Sequence, residues 1–322
     1  MRKALSLLLK AVASLMLLYF TLGRVDISTI RERLSQIDFN WVAFGLLALL
    51  IQTVGIAIRW RQLVIQCTAT LSLPLAFRFC MNSTFFNQVL PSSVGGDAVR
   101  IWLLGRRAGW RPAFYSVFLD RVVGVVSLAI VVIACLPWTM NLITDPVGRV
   151  ALFLLGFGSI GAGVAFLALS SERLGFLQRT KLTRHLSAVA RVANGIMRSP
   201  GALAPVFGVS FIIHFLTALS VWCAARSIAA ELTLLNSLFL TLPVLLVTAV
   251  PISIAGWGVR ESAMIAAFSY AHLSQEDGLI VSLLFGAGYL VLGAIGGLVW
   301  IAAPDRLDRT TMLTSGNEDA IN

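Results

Sequence analysis

Two short stretches concentrate polar residues and glycines in a chain that is otherwise strongly apolar. They read VLPSSVGGDAVR at 89–100 and AVPISIAGWGVR at 249–260. Both fit the pattern Pro-x-Ser-(Val/Ile)-x-Gly-x-x-Val-Arg, with six matched positions and no gap, which favours an internal duplication over chance. The matched positions are Pro91 and Pro251, Ser93 and Ser253, Val94 and Ile254, Gly96 and Gly256, Val99 and Val259, and Arg100 and Arg260.

The two motif arginines are suited to bind an anion, because a guanidinium group donates paired hydrogen bonds to phosphate or carboxylate. A helix that begins near Asp97 or Gly258 would add backbone N–H groups and a positive dipole end, which suit the same ligand. An acid lies close to each arginine, Asp97 in the first motif and Glu261 after the second. Two simpler interpretations stay open: each acid and arginine form a structural ion pair, or Arg100 extends its charge to the membrane interface.

Further polar residues lie near the first motif. Asp120 and Arg121 are adjacent inside an apolar stretch, where they form a paired gate or part of a headgroup site, unless they mark an interfacial stop. Asn87 belongs to a polar run before the motif that we expect to line a wet groove. The predicted substrate-binding residues are Asn87, Pro91, Ser93, Gly96, Asp97, Arg100, Asp120, Arg121, Pro251, Ser253, Gly256, Arg260 and Glu261.

The composition is that of a membrane protein. Of the 322 residues, 58% are hydrophobic and only 12% are charged, and the mean hydropathy is +0.87. A soluble domain has about 25% charged residues. The net charge of +10 comes from basic residues clustered in loops, which is typical of cytoplasmic loops and excludes nucleic acid as the expected partner.

Cysteine and histidine residues give no sign of a metal or cofactor. The four cysteines lie in or near apolar segments without a CxxC pair, which favours small buried hydrophobic residues. The three histidines share no ligand spacing, and no P-loop motif for ATP occurs. We therefore predict no metal, no cofactor and no catalytic residue.

Six apolar stretches are long enough to cross a bilayer, which takes about 20 helical residues. The first follows Arg2 and Lys3, but it is too long for a signal-peptide core and lacks a small-residue cleavage site, so we expect an uncleaved helix. Two further apolar regions, 74–104 and 234–271, are broken by Pro and Gly and contain the two motifs. The six stretches are 4–22, 41–58, 114–137, 150–170, 203–225 and 279–303.

Positive charge orients these spans. Residues 171–202 form the strongest basic loop, which we expect on the cytoplasmic side, with an amphipathic helix along the membrane surface. The basic clusters at 59–61 and 106–111 lie on that same side only if residues 74–104 enter the membrane and return. Both termini are then cytoplasmic, and residues 310–322 form a disordered tail.

The two halves of the chain share one order of elements. Residues 1–137 and 150–303 each contain two helices, a broken segment and a further helix, and each half crosses the membrane an odd number of times. The second half is therefore inverted. We predict an all-α polytopic membrane protein with a single domain over 1–309, in which six full transmembrane helices and two re-entrant or broken-helix segments form an inverted-topology repeat.

The two motifs also indicate a family. NQVLPSSVGGDAVRIWLL and VPISIAGWGVRESAMIAAF resemble the signature segments of the lysylphosphatidylglycerol synthase transmembrane-region, or flippase-like, family, which includes the flippase half of the multiple peptide resistance factor. The resemblance covers nearly the whole chain. It implies lipid translocation in a bacterial plasma membrane. It does not imply lysyl transfer, because that reaction belongs to a separate soluble domain and no segment here is long enough to form one.

These observations favour a lipid flippase-like transporter. It would move a charged-headgroup phospholipid, or a related polyprenyl or aminoacyl lipid, between leaflets. The alternative is a membrane enzyme or accessory subunit in lipid or glycolipid synthesis, including hopanoid synthesis, and a third hypothesis is a non-transporting scaffold. The expected partner is a membrane lipid, and the sequence does not determine the oligomeric state.

Overall fold

The structure, a computed structural model, describes residues 27–90, 95–143, 145–171, 180–249 and 257–302. The predicted first span, 4–22, and the predicted tail, 310–322, lie outside the described residues. All regular structure in the described part is helical, as predicted. The helices are α1 (Ile27–Ser35), α2 (Phe39–Gln66), α3 (Leu73–Val89), α4 (Gly95–Ala108), α5 (Trp110–Ala134), α6 (Leu136–Leu142), α7 (Pro146–Ala168), α8 (Lys181–Arg198), α9 (Pro200–Ser227), α10 (Leu234–Thr248), α11 (Val259–Tyr270) and α12 (Gln275–Ala302).

Five helices are long and apolar enough to cross a membrane: α2, α5, α7, α9 and α12. They correspond to the five predicted spans that fall on described residues, and they confirm a multi-pass membrane protein. Side chains set some of their starts. Asp38 accepts a hydrogen bond from the backbone N–H of Asn40 at the start of α2, and Asp145 accepts one from Gly148 at the start of α7.

Each broken segment consists of two helices. In the first, α3 and α4 pack against each other, and the Gly96 N–H donates to the side-chain oxygen of Asn87 at 2.8 Å. A Cβ atom at Gly96 would overlap Ser83, so only glycine allows this close crossing. The start of α3 and the end of α4 lie near the end of α2 and the start of α5, since residues of all four helices share one apolar cluster. Beside this cluster, Trp60 of α2 donates a hydrogen bond to Ser116 of α5. The second segment is the pair α10 and α11.

The helices pack in a pattern that is unchanged when the two halves are exchanged. The helix α2 lies along α9, and α4 packs on α5 as α11 packs on α12. The helix α3 contacts α12, and its counterpart α10 contacts α5. The helices α2 and α5 touch each other as α9 and α12 do. Each of these helix contacts in one half therefore has an equivalent contact made by the corresponding helices of the other half.

Glycines of α12 allow α3 to lie directly on its surface. A Cβ atom at Gly296 would overlap the backbone carbonyl of Met81, and one at Gly297 would press on the ring of Phe85. Such close approach of backbones is common where small residues occur at helix interfaces in membranes. The glycines of α12 therefore serve close helix packing.

The four cysteines are free thiols, and three of them, Cys67, Cys80 and Cys223, are buried, as predicted. Cys67 lies just beyond the end of α2, and burial raises the pKa of its thiol to about 12. The thiol is therefore protonated at neutral pH and is a poor nucleophile.

One basic residue of the sequence interpretation is misplaced. Arg59 was counted with a loop at 59–61, but α2 continues to Gln66 and buries Arg59 inside the helix bundle. The prediction of a basic loop at 59–61 is therefore wrong. The physical reason is that side chains of other helices accept hydrogen bonds from Arg59. The charged residue can therefore lie inside the helix bundle, within α2.

Gly296→Ala is expected to destabilise the protein by about 1–3 kcal/mol, because the added methyl group forces α3 and α12 apart. The measurement is the thermal unfolding midpoint of the purified protein in detergent. The matched control is Gly161→Ala in α7, where a Cβ atom would meet nothing within 4 Å. Equal midpoints for the two variants would contradict the close packing of α3 on α12.

Candidate functional site

A chain of alternating charges lies in the interior of the bundle. Asp120 of α5 accepts hydrogen bonds from Arg59 of α2 at 2.8 Å and from Arg100 of α4 at 2.9 Å. Arg100 also donates to Asp97 at 2.5 Å, and the Asp97 carboxylate accepts a further bond from Arg121. Three guanidinium groups thus share two carboxylates, and the network has a net charge of +1.

Additional contacts compensate the loss of water around these charges. Arg59 donates to the hydroxyl of Ser210 on α9 at 3.2 Å, and Arg100 lies over the ring of Trp60 with its guanidinium carbon 5.1 Å from the ring centroid. Burial of an ion pair in a low-dielectric interior is favourable only with good geometry and further hydrogen bonds. The network therefore fixes α2, α4, α5 and α9 relative to each other.

Arg121 differs from the other members of the network. Its side chain is 54% exposed, whereas those of Arg59 and Arg100 are 7% and 6% exposed. Its hydrogen bond to Asp97 fixes one edge of the guanidinium group, and the exposed part faces an open cavity. Arg121 is therefore the most accessible arginine of the network.

The cavity beside this network has a volume of about 400 Å³ and lies between the two halves of the chain. Its walls come from α2, α3, α4 and α5 on one side and from α9, α10 and α12 on the other. All five members of the charge network line it, together with the polar side chains of Gln52, Thr53, Ser83, Thr84, Asn87, Gln88, His214, Thr217, Thr248 and Tyr289.

The motif arginine of the second half lies in a different environment. Arg260 donates to Glu261 at 2.6 Å and to Ser282 at 3.1 Å, and the pair has no net charge. The guanidinium carbon of Arg260 lies 4.8 Å from the ring centroid of Trp257 and 5.7 Å from that of Phe285. The absence of a side chain at Gly286 makes room for Arg260, since a Cβ atom there would overlap the guanidinium group.

A second cavity, of about 230 Å³, adjoins Arg260. It shares Asn87, Gln88, Arg121, Leu245, Thr248 and Tyr289 with the first cavity. The two motif arginines thus lie beside adjoining hollows, and Arg121 lines both.

The predicted site residues fall into three groups. Asn87, Asp97, Arg100, Asp120, Arg121 and Arg260 line one or both cavities. Gly96 and Glu261 are buried next to them. The Glu261 carboxylate accepts hydrogen bonds from Arg260, Ser282 and the Gly258 N–H. Pro91, Ser93, Pro251, Ser253 and Gly256 lie outside the described residues.

The helix starts agree with the sequence expectation in position but differ from it in the availability of their backbone N–H groups. The helices α4 and α11 begin at Gly95 and Val259, as the motifs predicted. However, the Gly96 N–H is bonded to Asn87, and the Gly258 N–H is bonded to Glu261 at 2.6 Å. These two donors are satisfied by the protein itself, so they are not available to a phosphate, and side chains provide the charged groups of the site.

Several cavity residues were missed by the sequence analysis. Arg59 was assigned to a loop, and Gln52, Thr217 and Tyr289 lie in spans that read as uniformly apolar. Gln52 donates to Thr217 at 2.6 Å and accepts from Tyr289 at 3.0 Å, which joins α2, α9 and α12 across the cavity. Isolated polar residues inside apolar spans were the available signal, because such residues usually face the bundle interior.

No metal centre is evident in the part of the chain that the structure describes, because it contains no group of three or more His, Cys, Asp or Glu side chains that could hold an ion. The site is instead a polar, cationic cavity enclosed by transmembrane helices. The chain is therefore a membrane protein with an internal polar cavity that carries excess positive charge.

Residues 7–297 match the family described as "Lysylphosphatidylglycerol synthase TM region". The match covers most of the chain, so the protein belongs to this family, in agreement with the resemblance of its two motifs. No curated protein matches the sequence significantly.

Asp120→Asn is expected to destabilise the protein by about 3–5 kcal/mol, because it leaves Arg59 and Arg100 buried with one carboxylate fewer. The double variant Arg59→Gln/Asp120→Asn removes one charge of each sign and is expected to recover part of this loss. The measurement is thermal or denaturant unfolding in detergent. The network is contradicted if the two substitutions are additive. In that case, Arg59→Gln would lower the stability by the same amount in the Asp120→Asn variant as in the unchanged protein.

Proposed function

We propose that this protein moves a lipid with an anionic, phosphate-bearing headgroup between the two leaflets of a membrane. One observation carries the proposal: a buried network with a net charge of +1 lines an open cavity between two halves of a membrane domain. A charge inside a membrane is costly and is typical of a substrate or ion pathway. Membership of the family makes a lipid-related role the natural context.

Each part of the site has a role in this proposal. Arg121 binds the phosphate first, because its guanidinium group is half exposed and reachable from both cavities. Arg100 remains bonded to Asp97 and Asp120 and provides positive potential behind it. The headgroup crosses through the polar cavities, while the lipid tails stay in the hydrocarbon of the bilayer.

The architecture that we propose is an inverted-topology repeat of six spans and two re-entrant hairpins. The exchangeable packing pattern of the eight core helices and the duplicated motifs support it. The predicted helix at 4–22 would be the sixth span and the counterpart of α7. Paired interrupted helices at corresponding positions are typical of transporters that alternate access about a central site.

The charges of the two ends of the bundle support one orientation. Arginines Arg106, Arg107, Arg111, Arg184, Arg191 and Arg198 lie at one end, which we call the basic face. Among the described residues, carboxylates occur at the other end, the acidic face, as Glu32, Asp38, Asp145, Glu231, Glu276 and Asp277. On the basis of the positive-inside rule, we propose that the basic face and both termini are cytoplasmic and that the location is the plasma membrane of a bacterium.

The proposal assigns transport and no bond-making chemistry to these residues. The sequence contains no P-loop, so the proposed energy source is an ion gradient, the membrane potential or the gradient of the lipid itself. The membrane-enzyme alternative would need turnover of a radiolabelled lipid by the purified protein.

Arg121→Gln is expected to lower the rate of lipid translocation by roughly 10- to 100-fold, since a hydrogen bond to a charged group is worth about 1.5–3 kcal/mol. The measurement is the exchange of headgroup-labelled phospholipid between the leaflets of proteoliposomes. Arg121→Lys keeps the charge without the paired donors and is expected to retain an intermediate rate.

The matched control is Arg226→Gln, which removes an exposed arginine stacked on Trp41 at the acidic end of α9, away from both cavities. Its rate should equal that of the unchanged protein. Unchanged translocation by Arg121→Gln, or by the double variant Arg100→Ala/Arg260→Ala in folded form, would refute the role of these arginines.

A further inference from the structure

The helix α8 lies across one end of the bundle. Its residues Val189, Ala193 and Ile196 pack in one apolar cluster with Leu63 near the end of α2 and Leu119 of α5. Helix α8 also contacts α7 and α9. It therefore packs against α5, α7 and α9, and it shares an apolar cluster with the end of α2.

Polar contacts attach α8 to two of these helices. The side-chain amide of Asn194 donates to the Leu167 carbonyl at 2.9 Å and to the Ser170 hydroxyl at 2.7 Å, at the end of α7. The Tyr115 hydroxyl, near the start of α5, lies 2.7 Å from Nδ1 of His185. These contacts fix α8 at the end of α7 and near the start of α5.

The opposite side of α8 presents a row of arginines. Arg184, Arg191 and Arg198 are exposed and follow each other at intervals of seven residues. Seven residues are nearly two helical turns, so the three side chains lie on one face, about 10 Å apart along the axis. Of these, Arg191 also donates to the hydroxyl of Ser187, one turn earlier on the helix.

Nothing acidic in the described part of the chain lies at this end of the bundle. Among the described residues, the six carboxylates outside the membrane interior belong to the acidic face, whereas Arg106 and Arg111 at the turn from α4 to α5 extend the positive surface. A positive surface at this level attracts anionic lipid headgroups.

We propose that α8 is an interfacial helix whose three arginines bind the phosphate groups of anionic phospholipids in the leaflet at the basic face. The evidence is its position at the ends of four spans, its buried apolar side and the arginine row on its other side. This combination is typical of helices that lie in the plane of the membrane interface. An acidic protein segment would also be attracted to the arginines, but it would not explain the depth at which the helix lies.

This binding would act on the same helices that hold the proposed transport site. Leu63 lies one helical turn after Arg59, and Leu119 directly precedes Asp120. Bound lipid on α8 would therefore hold the ends of α2 and α5 in place. Lipid binding itself is independent of the proposed transport activity and can be tested without it.

The test compares two variants that each lose two exposed arginines. Arg184→Gln/Arg198→Gln alters the row on α8, and Arg31→Gln/Arg226→Gln removes the same charge at the acidic face. The delipidated protein is titrated with phosphatidylglycerol or phosphatidylcholine, and bound lipids are counted by native mass spectrometry. We expect the α8 variant to lose about 25-fold in affinity for phosphatidylglycerol, since each of the two lost basic residues contributes about fivefold near an anionic surface.

Unchanged phosphatidylcholine binding and an unchanged unfolding midpoint are expected for both variants. The orientation of the protein in the membrane is checked with Gly195→Cys in both variants. This position of α8 is exposed, and an added Cβ has no atom within 4 Å, so the new thiol should react with a thiol reagent added on the same side of the membrane in both variants. Equal losses of phosphatidylglycerol affinity in the two variants would overturn the proposal and leave the arginines as topology signals. No preference for phosphatidylglycerol in the unchanged protein would overturn it in favour of an acidic protein partner.

Discussion

The structure depends on the pairing of charges inside a medium that does not solvate them. Arg59, Asp120, Arg100, Asp97 and Arg121 alternate in sign, and each buried member has a partner within hydrogen-bond distance. Because these residues come from α2, α4 and α5, the charges can pair only if α4 returns into the bundle beside the two spans. The glycine at the crossing of α3 and α4, the apolar cluster around Trp60 and the polar wall of the cavity all serve this arrangement.

The two halves are related in sequence and packing but are unequal in charge. Arg100 is held by two acids that also bind other arginines, so positive charge is left over in the first half. Arg260 is held by its neighbour Glu261 and by a neutral hydroxyl, and aromatic rings cover it, so the second half is balanced. The two motifs therefore differ: the first leaves excess positive charge beside the cavity, and the second forms a neutral pair that aromatic rings cover.

The sequence was sufficient for the features that depend on local pattern. Apolar length predicted the spans, and Pro and Gly predicted the breaks. The neighbouring acids left ion pairing open as one interpretation, and the structure contains the pairs Asp97–Arg100 and Arg260–Glu261. It was insufficient for contacts between distant helices. Arg59 resembled a loop residue because its partner Asp120 is 61 residues away, and the helix-start N–H groups seemed free because Asn87 and Glu261 could not be seen to reach them.

The leftover charge has a consequence for the proposed transport. A guanidinium group beside a polar cavity without a full counter-charge attracts small anions from the surrounding solution. If the cavity binds a lipid headgroup as proposed, chloride and other dissolved anions would compete with that headgroup for Arg121. The ionic composition of the buffer would then alter the measured rate of translocation.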